Sequence, residues 1–295
     1  MFSAISGLKA QQTMLDVTAN NLANVNTLGF KASTTTFQDA LSQLQRGGSA
    51  ANAGGGFGGS NAIQVGLGVN VGAITNRMTG GAMQPTGNPL DVAISGDGWM
   101  RVGLSTAAPV AATPTTGVPG AAGMNYTRAG NFIRNNDGWM TTQDGYYVVG
   151  RNAATPAQDI FINIPAGATD VSIGSDGAVT FIPPATYTVP AGLPPVTNGR
   201  ATAGWISLAK FPNEQALQRA SGNRFLANGS SGTETVGKPG DIGYGTAAGG
   251  AIEMSNVDLA TEFTNMIVAQ RGFQANSRVI STGDQMLQDL VNLNR

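Results

Sequence analysis

Leucines recur at seven-residue spacing at the start of this chain, at Leu8, Leu15 and Leu22, with Ile5 and Ala19 on the interleaved track. The far end repeats the pattern: Leu259, Met266, Phe273, Ile280 and Leu287 stand seven apart, with Phe263 and Val291 on the companion track. All 14 prolines lie between Pro85 and Pro239, so neither end carries the residue that breaks helices. A heptad seam leaves a helix with an apolar stripe that it cannot bury alone. Two such stripes on opposite ends of one chain are most simply buried against each other. The pattern therefore predicts paired terminal helices, the first from about Ser3 to Val25, with everything else threaded between them.

A competing reading makes these two ordinary amphipathic helices of one globular core. The C-terminal companion track is polar at Gln270, Ser277 and Asp284, which leaves a narrow seam where a core helix has a wider stripe. Gly7, Gly272 and Gly283 fall inside the predicted helices, each costing roughly 1 kcal/mol against Ala. Helices of this kind gain order from packing with several neighbours. The residues assigned to self-assembly are accordingly Ile5, Leu8, Leu15, Leu22, Leu259, Phe263, Met266, Phe273, Ile280 and Leu287.

Composition points the same way. Glycine supplies 42 of 295 residues, charged residues only 11%, and the net charge is -1. Near-zero charge favours association, whereas a soluble monomer keeps a charged, mixed surface. Without a basic excess, composition gives no support to nucleic-acid binding. No run approaches the ~18 apolar residues of a membrane span. Lys9, Gln11, Gln12 and Thr13 interrupt any apolar signal-peptide core. The chain has no Cys and no His, so disulfides, thiolate metal sites and the commonest general base are absent. No cofactor is implied.

Between the ends the chain reads as β. After the asparagines at 20, 21, 24 and 26, Gly29 is the expected stop of the first helix. Ala32–Leu44 is expected to be extended and then briefly helical, Gly47–Gly59 a glycine-rich loop, and Ile63–Ile74 a strand broken by glycines. Four Asp-Gly dipeptides, at Asp97, Asp137, Asp144 and Asp176, sit between short apolar or aromatic runs and predict hairpins. Trp205–Phe211 reads as a further strand, Pro183–Asn198 as a connector, and Gly237–Gly250 as a loop. Ser255, three residues before Asp258, resembles a capping box for the last helix. The fold class is thus α+β: coiled-coil-like paired terminal helices with a central, mainly-β domain. The boundaries are 1–30 with 255–295 for the helical assembly domain, 31–84 with 235–254 for linking segments, and 85–234 for the β-rich outer domain.

No constellation of residues reads as an active site. The four turn aspartates stand where Asp is favoured for backbone reasons, and a glycosidase would need two carboxylates converging across a cleft. Asn135-Asn136-Asp137-Gly138 lacks the ligand spacing and closing Glu of a calcium loop. Gly66-Leu67-Gly68 lacks the third Gly and following helix of a phosphate loop. An adhesin-like binding module would share the β-rich, Gly/Thr-rich middle but would not need heptads at both ends.

The stretch from Asp16 through Asn20-Asn21-Leu22-Ala23-Asn24 to Gly29-Phe30-Lys31 resembles the N-terminal signature of bacterial flagellar rod and hook proteins. Ser255–Leu259, Gln270-Arg271-Gly272-Phe273 and Leu290–Leu293 are similar to their C-terminal signature, and Thr127-Arg128-Ala129-Gly130-Asn131-Phe132 to their shared β domain. The resemblance implies a non-enzymatic subunit of a helical homopolymer in the extracellular flagellum or its basal body, with terminal helices lining a tube. It implies export through the flagellar type III pathway without a cleaved signal peptide. Phe37 and Leu41 match the Phe-x-x-x-aliphatic pattern of an export-gate segment; the plain alternative is an apolar turn of helix. Within the family, Leu287–Arg295 and the glycine-rich segment before Gln64–Gly68 resemble the hook subunit, although Asn294 stands where the hook ending has Lys. That implies a curved tube carrying torque from rod to filament. Its partners would be the distal rod protein, the hook cap, the hook–filament junction protein and the export apparatus. The alternative is the distal rod itself, a straight drive shaft.

Overall fold

The computed structural model describes residues 2–48, 59, 61–106, 109–110, 115, 117–120, 123–152, 158–185, 187–190 and 192–293. They pack as two units. The first comprises residues 1–23, 32–77 and 258–295; the second comprises 24–31 and 78–257. The division places 24–31 with the β unit and 32–77 with the helices.

The first unit holds two helices, α1 (Phe2–Ala23) and α2 (Leu259–Leu293), and a long two-stranded ribbon. Ribbon strands β1 (Ser33–Asp39) and β2 (Ser42–Arg46) run antiparallel to β4 (Val69–Asn76) and β3 (Ile63–Gly66) respectively. Backbone bonds from Ala40 to Gly68 and from Leu67 to Leu41 join the two halves. The short helix expected near residue 40 is therefore strand. The β-branched run Thr34-Thr35-Thr36 favours a pleated backbone, and Thr34 reaches across to Thr75. Residues 49–58 of the predicted glycine-rich loop lie outside the described residues.

α1 ends at Ala23, earlier than a Gly29 stop would have it. Thr27 folds back on Asn24 through both backbone and side chain, closing a turn. Two residues inside the helix end, Asn21 clamps Ser33: its Nδ2 donates to the Ser33 carbonyl at 2.8 Å, and its Oδ1 accepts from the Ser33 N–H at 2.9 Å. The carbonyl and one N–H of this buried amide are thereby paired, as buried polar groups require. At the start of α2 the cap is Asp258 and not the predicted Ser255. Asp258 Oδ1 accepts from the Ala260 N–H at 3.0 Å and Oδ2 from the Thr261 hydroxyl at 2.8 Å. These bonds hold its carboxyl below the usual carboxylate range.

The second unit is antiparallel β. Its central strand, Trp99–Gly103, pairs along one side with Met124–Thr127 and on the other with parts of Tyr147–Arg151 and Leu208–Lys210. Period-two alternation sends its side chains to two cores. Met100 and Val102 join a cluster with Phe132, Val148, Ile162 and Phe181; Trp99 joins one with Tyr126, Phe161, Phe211 and Phe225. Arg101, also on the Trp99 side, is buried between Asp159 (2.8 Å) and Glu234 (3.2 Å), and Glu234 accepts from the Tyr126 hydroxyl.

Three Asp-Gly turns form the predicted hairpins: Asp137-Gly138, Asp144-Gly145 and Asp176-Gly177 each join strands that pair with each other. Asp97-Gly98 does not. The strand before it, Val92–Ser95, pairs with Thr246–Gly249, so the dipeptide turns a corner between sheets. The segment Gly237–Gly250, expected to be loop, supplies that partner strand. Its Thr246-Ala247-Ala248-Gly249 is too short and too small-sided to show a strand pattern. Trp205–Phe211 contributes to two strands, broken at Ser207.

Candidate assembly surface

The two helices of the first unit run antiparallel, but not through their leucine and phenylalanine heptads. The buried residues of α1 are Ala4, Gly7, Ala10, Thr18 and Asn21; those of α2 are Glu262 and Ala269. A Cβ on Gly7 would come within 2.7 Å of Asn276 Nδ2, and one on Gly272 within 2.9 Å of Gln11 Cδ. The shared face is therefore built of small and polar residues that let the helices approach closely.

The predicted assembly residues lie elsewhere. Leu8, Leu15, Leu22, Met266 and Ile280 are half-buried, while Ile5, Leu259, Phe263, Phe273 and Leu287 are exposed. The expectation that the two large-residue seams bury each other within one chain is thus corrected. Ile267, Val268, Val279, Met286, Leu290 and Val291 add to the exposed apolar area of α2. Exposed apolar area of this kind is what contact with another molecule would cover.

The β2–β3 part of the ribbon is exposed as well, in every residue of both strands, among them Leu44, Ile63 and Val65. A lone two-stranded ribbon is marginal in water without a face to pack on. Phe37 sits in β1 and Leu41 between β1 and β2, both exposed. They belong to the ribbon, not to a turn of helix.

Residues of the N-terminal motif that follow α1 are built into the second unit, at a buried charged node. Lys31 Nζ lies 2.6 Å from Glu253 Oε1 and donates to the Thr79 carbonyl; Arg128 NH1 lies 3.2 Å from Glu253 Oε2. Gly81 N–H also donates to Glu253 Oε1, and Gly29 N–H to the Glu253 carbonyl. Burial pushes the Lys31 ammonium below its ordinary value, and the Glu253 charge opposes that. The Trp99 ring lies 5.9 Å from Lys31 Nζ and 5.4 Å from the Arg128 guanidinium carbon, giving the extra cation a π face. Gly29 has φ +64°, and a Cβ there would lie 2.5 Å from the Ala129 nitrogen. That close approach, rather than helix termination, is what requires glycine. Residues of the N-terminal motif (Gly29, Lys31) and of the β-domain motif (Arg128, Ala129) thus meet beside Glu253, at the threshold of the C-terminal one.

The turn aspartates serve local structure. Asp176 accepts from the Ala178 N–H and the Trp205 indole, Asp97 pairs with Lys210 at 2.9 Å, and the Asp137 carbonyl accepts from Asn163. Among the described residues no helix is long and apolar enough to cross a membrane.

Three family models match the chain. "Flagella basal body rod protein" covers residues 1–31, "Flagellar hook protein FlgE/F/G D1 domain" covers 118–181, and "Flagellar basal body rod FlgEFG protein C-terminal" covers 248–293. The chain is 43% identical over 297 residues to the flagellar basal-body rod protein FlgG of Bacillus subtilis, covering 100% of this chain and 98% of the relative. It is 38% identical over 287 residues to the FlgG of Caulobacter vibrioides, covering 97% and 95%. The flagellar hook protein FlgE of Borreliella burgdorferi is 27% identical, in an alignment of 458 residues that covers 99% of each chain. That length, against the 295 residues here, means that long insertions separate the two. The chain belongs to the bacterial flagellar rod and hook proteins, a family of structural axial subunits and not of enzymes.

Proposed function

We propose that this chain is a subunit of the distal rod, polymerising into a straight, tubular drive shaft within the basal body. The observation that carries self-assembly is the set of large apolar residues that α2 leaves exposed, among them Leu259, Phe263, Ile267, Phe273 and Leu287. A polymer covers such a face with other copies, while the small-residue face holds each helix pair together. The rod subtype, rather than the hook expected from the C-terminal ending, is supported by relatives. Full-length matches to basal-body rod proteins reach 43% identity, whereas the hook relative stands at 27% across long insertions. The hook cap and junction protein follow only from the hook reading and are not carried over. Export through the flagellar type III pathway is supported by the exposed Phe37 and Leu41 on the ribbon.

Electron microscopy of polymers grown from the purified full-length chain tests this reading. Straight tubes are expected. Curved tubes would restore the hook reading, and a chain that stays monomeric at high concentration would end the assembly reading.

A further inference from the structure

The helices of the first unit differ in length, and their register shows where the surplus lies. Gly7 stands opposite Asn276 and Gln11 opposite Gly272, so Phe2 stands opposite a point near residue 281. The α2 residues 282–293 therefore project past the start of α1 by about 18 Å at 1.5 Å per residue. Residues 284–293 are all exposed. Met286, Leu287, Leu290 and Val291 follow the i, i+1, i+4, i+5 spacing that makes one stripe along this free end.

At the same end of the unit, α1 and β4 enclose a groove of about 290 Å³. Phe2, Ile5, Lys9 and Thr13 form its helical wall, and Val69 and Val71 the other. The helical wall runs about 16 Å from Phe2 to Thr13 at the same rise per residue. The free end thus matches the groove's helical wall in length, and Phe2, Ile5, Val69 and Val71 supply apolar surface among the polar Ser6, Thr13 and Asn70. Groove and free end also match in charge. Lys9 is the groove's charged side chain, Asp289 flanks the stripe, and neither makes an ion pair among the described residues.

We propose that the free end of α2 from one copy seats in the α1–β4 groove of a second copy, with Asp289 meeting Lys9. The two cannot meet within one chain. Lys9 stands opposite a point near residue 274, and Asp289 lies 15 residues beyond it, about 22 Å along the helix. A contact between two different surfaces of identical copies is head-to-tail, and when its rotation does not close it generates an open helical polymer. This contact rests on the assembly reading above and names its partner surfaces.

The chain has no cysteine, so the double variant Lys9→Cys/Asp289→Cys in the full-length protein reports on this contact alone. Mild oxidation of its polymers is expected to give a ladder of covalent multimers that collapses on reduction. Each single variant is expected to stay monomeric under the same oxidation, because its one thiol then faces Asp289 or Lys9 of the next copy and not a second thiol. In parallel, Lys9→Glu is expected to raise the critical concentration for assembly several-fold, and Asp289→Lys on the same chain to bring it back. Polymers of the double variant that oxidise without a ladder, or a charge reversal that its partner does not rescue, would overturn this contact and leave the assembly reading standing. A wild-type chain that forms no polymer would overturn both.

Discussion

Gly7 of α1 faces Asn276 of α2 so closely that a Cβ at Gly7 would lie 2.7 Å from the Asn276 amide nitrogen. The obstructing atom is the tip of a side chain that can turn away. Gly7→Ala is therefore expected to be near neutral, the shift of Asn276 offset by roughly 1 kcal/mol of helix propensity. Gly7→Leu has no such escape and is expected to separate the helices. Far-ultraviolet circular dichroism should show helix lost in the Leu variant only, while the β unit keeps its melting transition. Equal behaviour of the two variants would mean that the helices do not pack through this face.

This contact also shows where the sequence was legible and where it was not. The seven-residue spacing located both helices, and their bounds differ from the expected ones by a residue or two at Phe2 and Ala23. Which face turned inward was misread, because the largest apolar residues were assigned to the in-chain seam. A second track at the same spacing, Glu262, Ala269, Asn276 and Gly283, was present all along. It carries no apolar signal, because close approach selects small residues rather than large ones. The hairpin turns were readable from local chemistry; the strand at Thr246–Gly249 was not, because only its pairing with Val92–Ser95 makes it one. The Lys31–Glu253 pair spans 222 positions and leaves no local signal.

That pair sits in a node of two cations and one anion, so its members are not equivalent. Glu253→Gln leaves Lys31 and Arg128 buried together without an anion, and is expected to cost about 3–5 kcal/mol. Lys31→Met leaves Arg128 and Glu253 as a neutral pair and is expected to cost clearly less. Urea titration of the two variants, followed by tryptophan fluorescence, ranks them. The opposite order would show that the node is not held by charge.

The turns separate side-chain chemistry from backbone geometry. Gly138 and Gly177 have φ of +87° and +74°, and a Cβ at Gly138 would come within 2.5 Å of the Ile164 carbonyl oxygen. Gly138→Val is expected to destabilise the β unit by at least 1–3 kcal/mol, roughly the cost of one strained residue. Asp137→Asn and Asp176→Asn are expected to stay within about 0.5 kcal/mol of the parent, since Asn-Gly makes the same turn. Thermal melts and swimming assays should agree. A non-motile Asp→Asn variant with a normal melt would reveal a charge-dependent site.

Tyr126 gives the β unit a pH dependence of known sign. Burial, with the bond to Glu234, raises its phenol above the ordinary value. The unfolded chain then releases this proton first, from near pH 10, and the folded chain only later. The contribution of Tyr126 to stability is therefore complete below about pH 10 and falls as pH rises, by up to roughly 1.4 kcal/mol per pH unit. The stability difference between the parent and Tyr126→Phe is expected to shrink across that window. A difference that stays flat from pH 9 to 11 would contradict the burial of this hydroxyl.

If other copies cover the large apolar residues of α2 in the polymer, those residues lose access to solvent on assembly. Single cysteines at Phe263, Phe273 and Leu287, doped at low fraction into wild-type polymers, test it through their rate of thiol labelling. Ile242, fully exposed on the other unit, serves as the reference site. Rapid labelling of all three positions is expected in the monomer, with at least a tenfold slowing in the polymer. Labelling at the same rate in monomer and polymer would contradict that coverage.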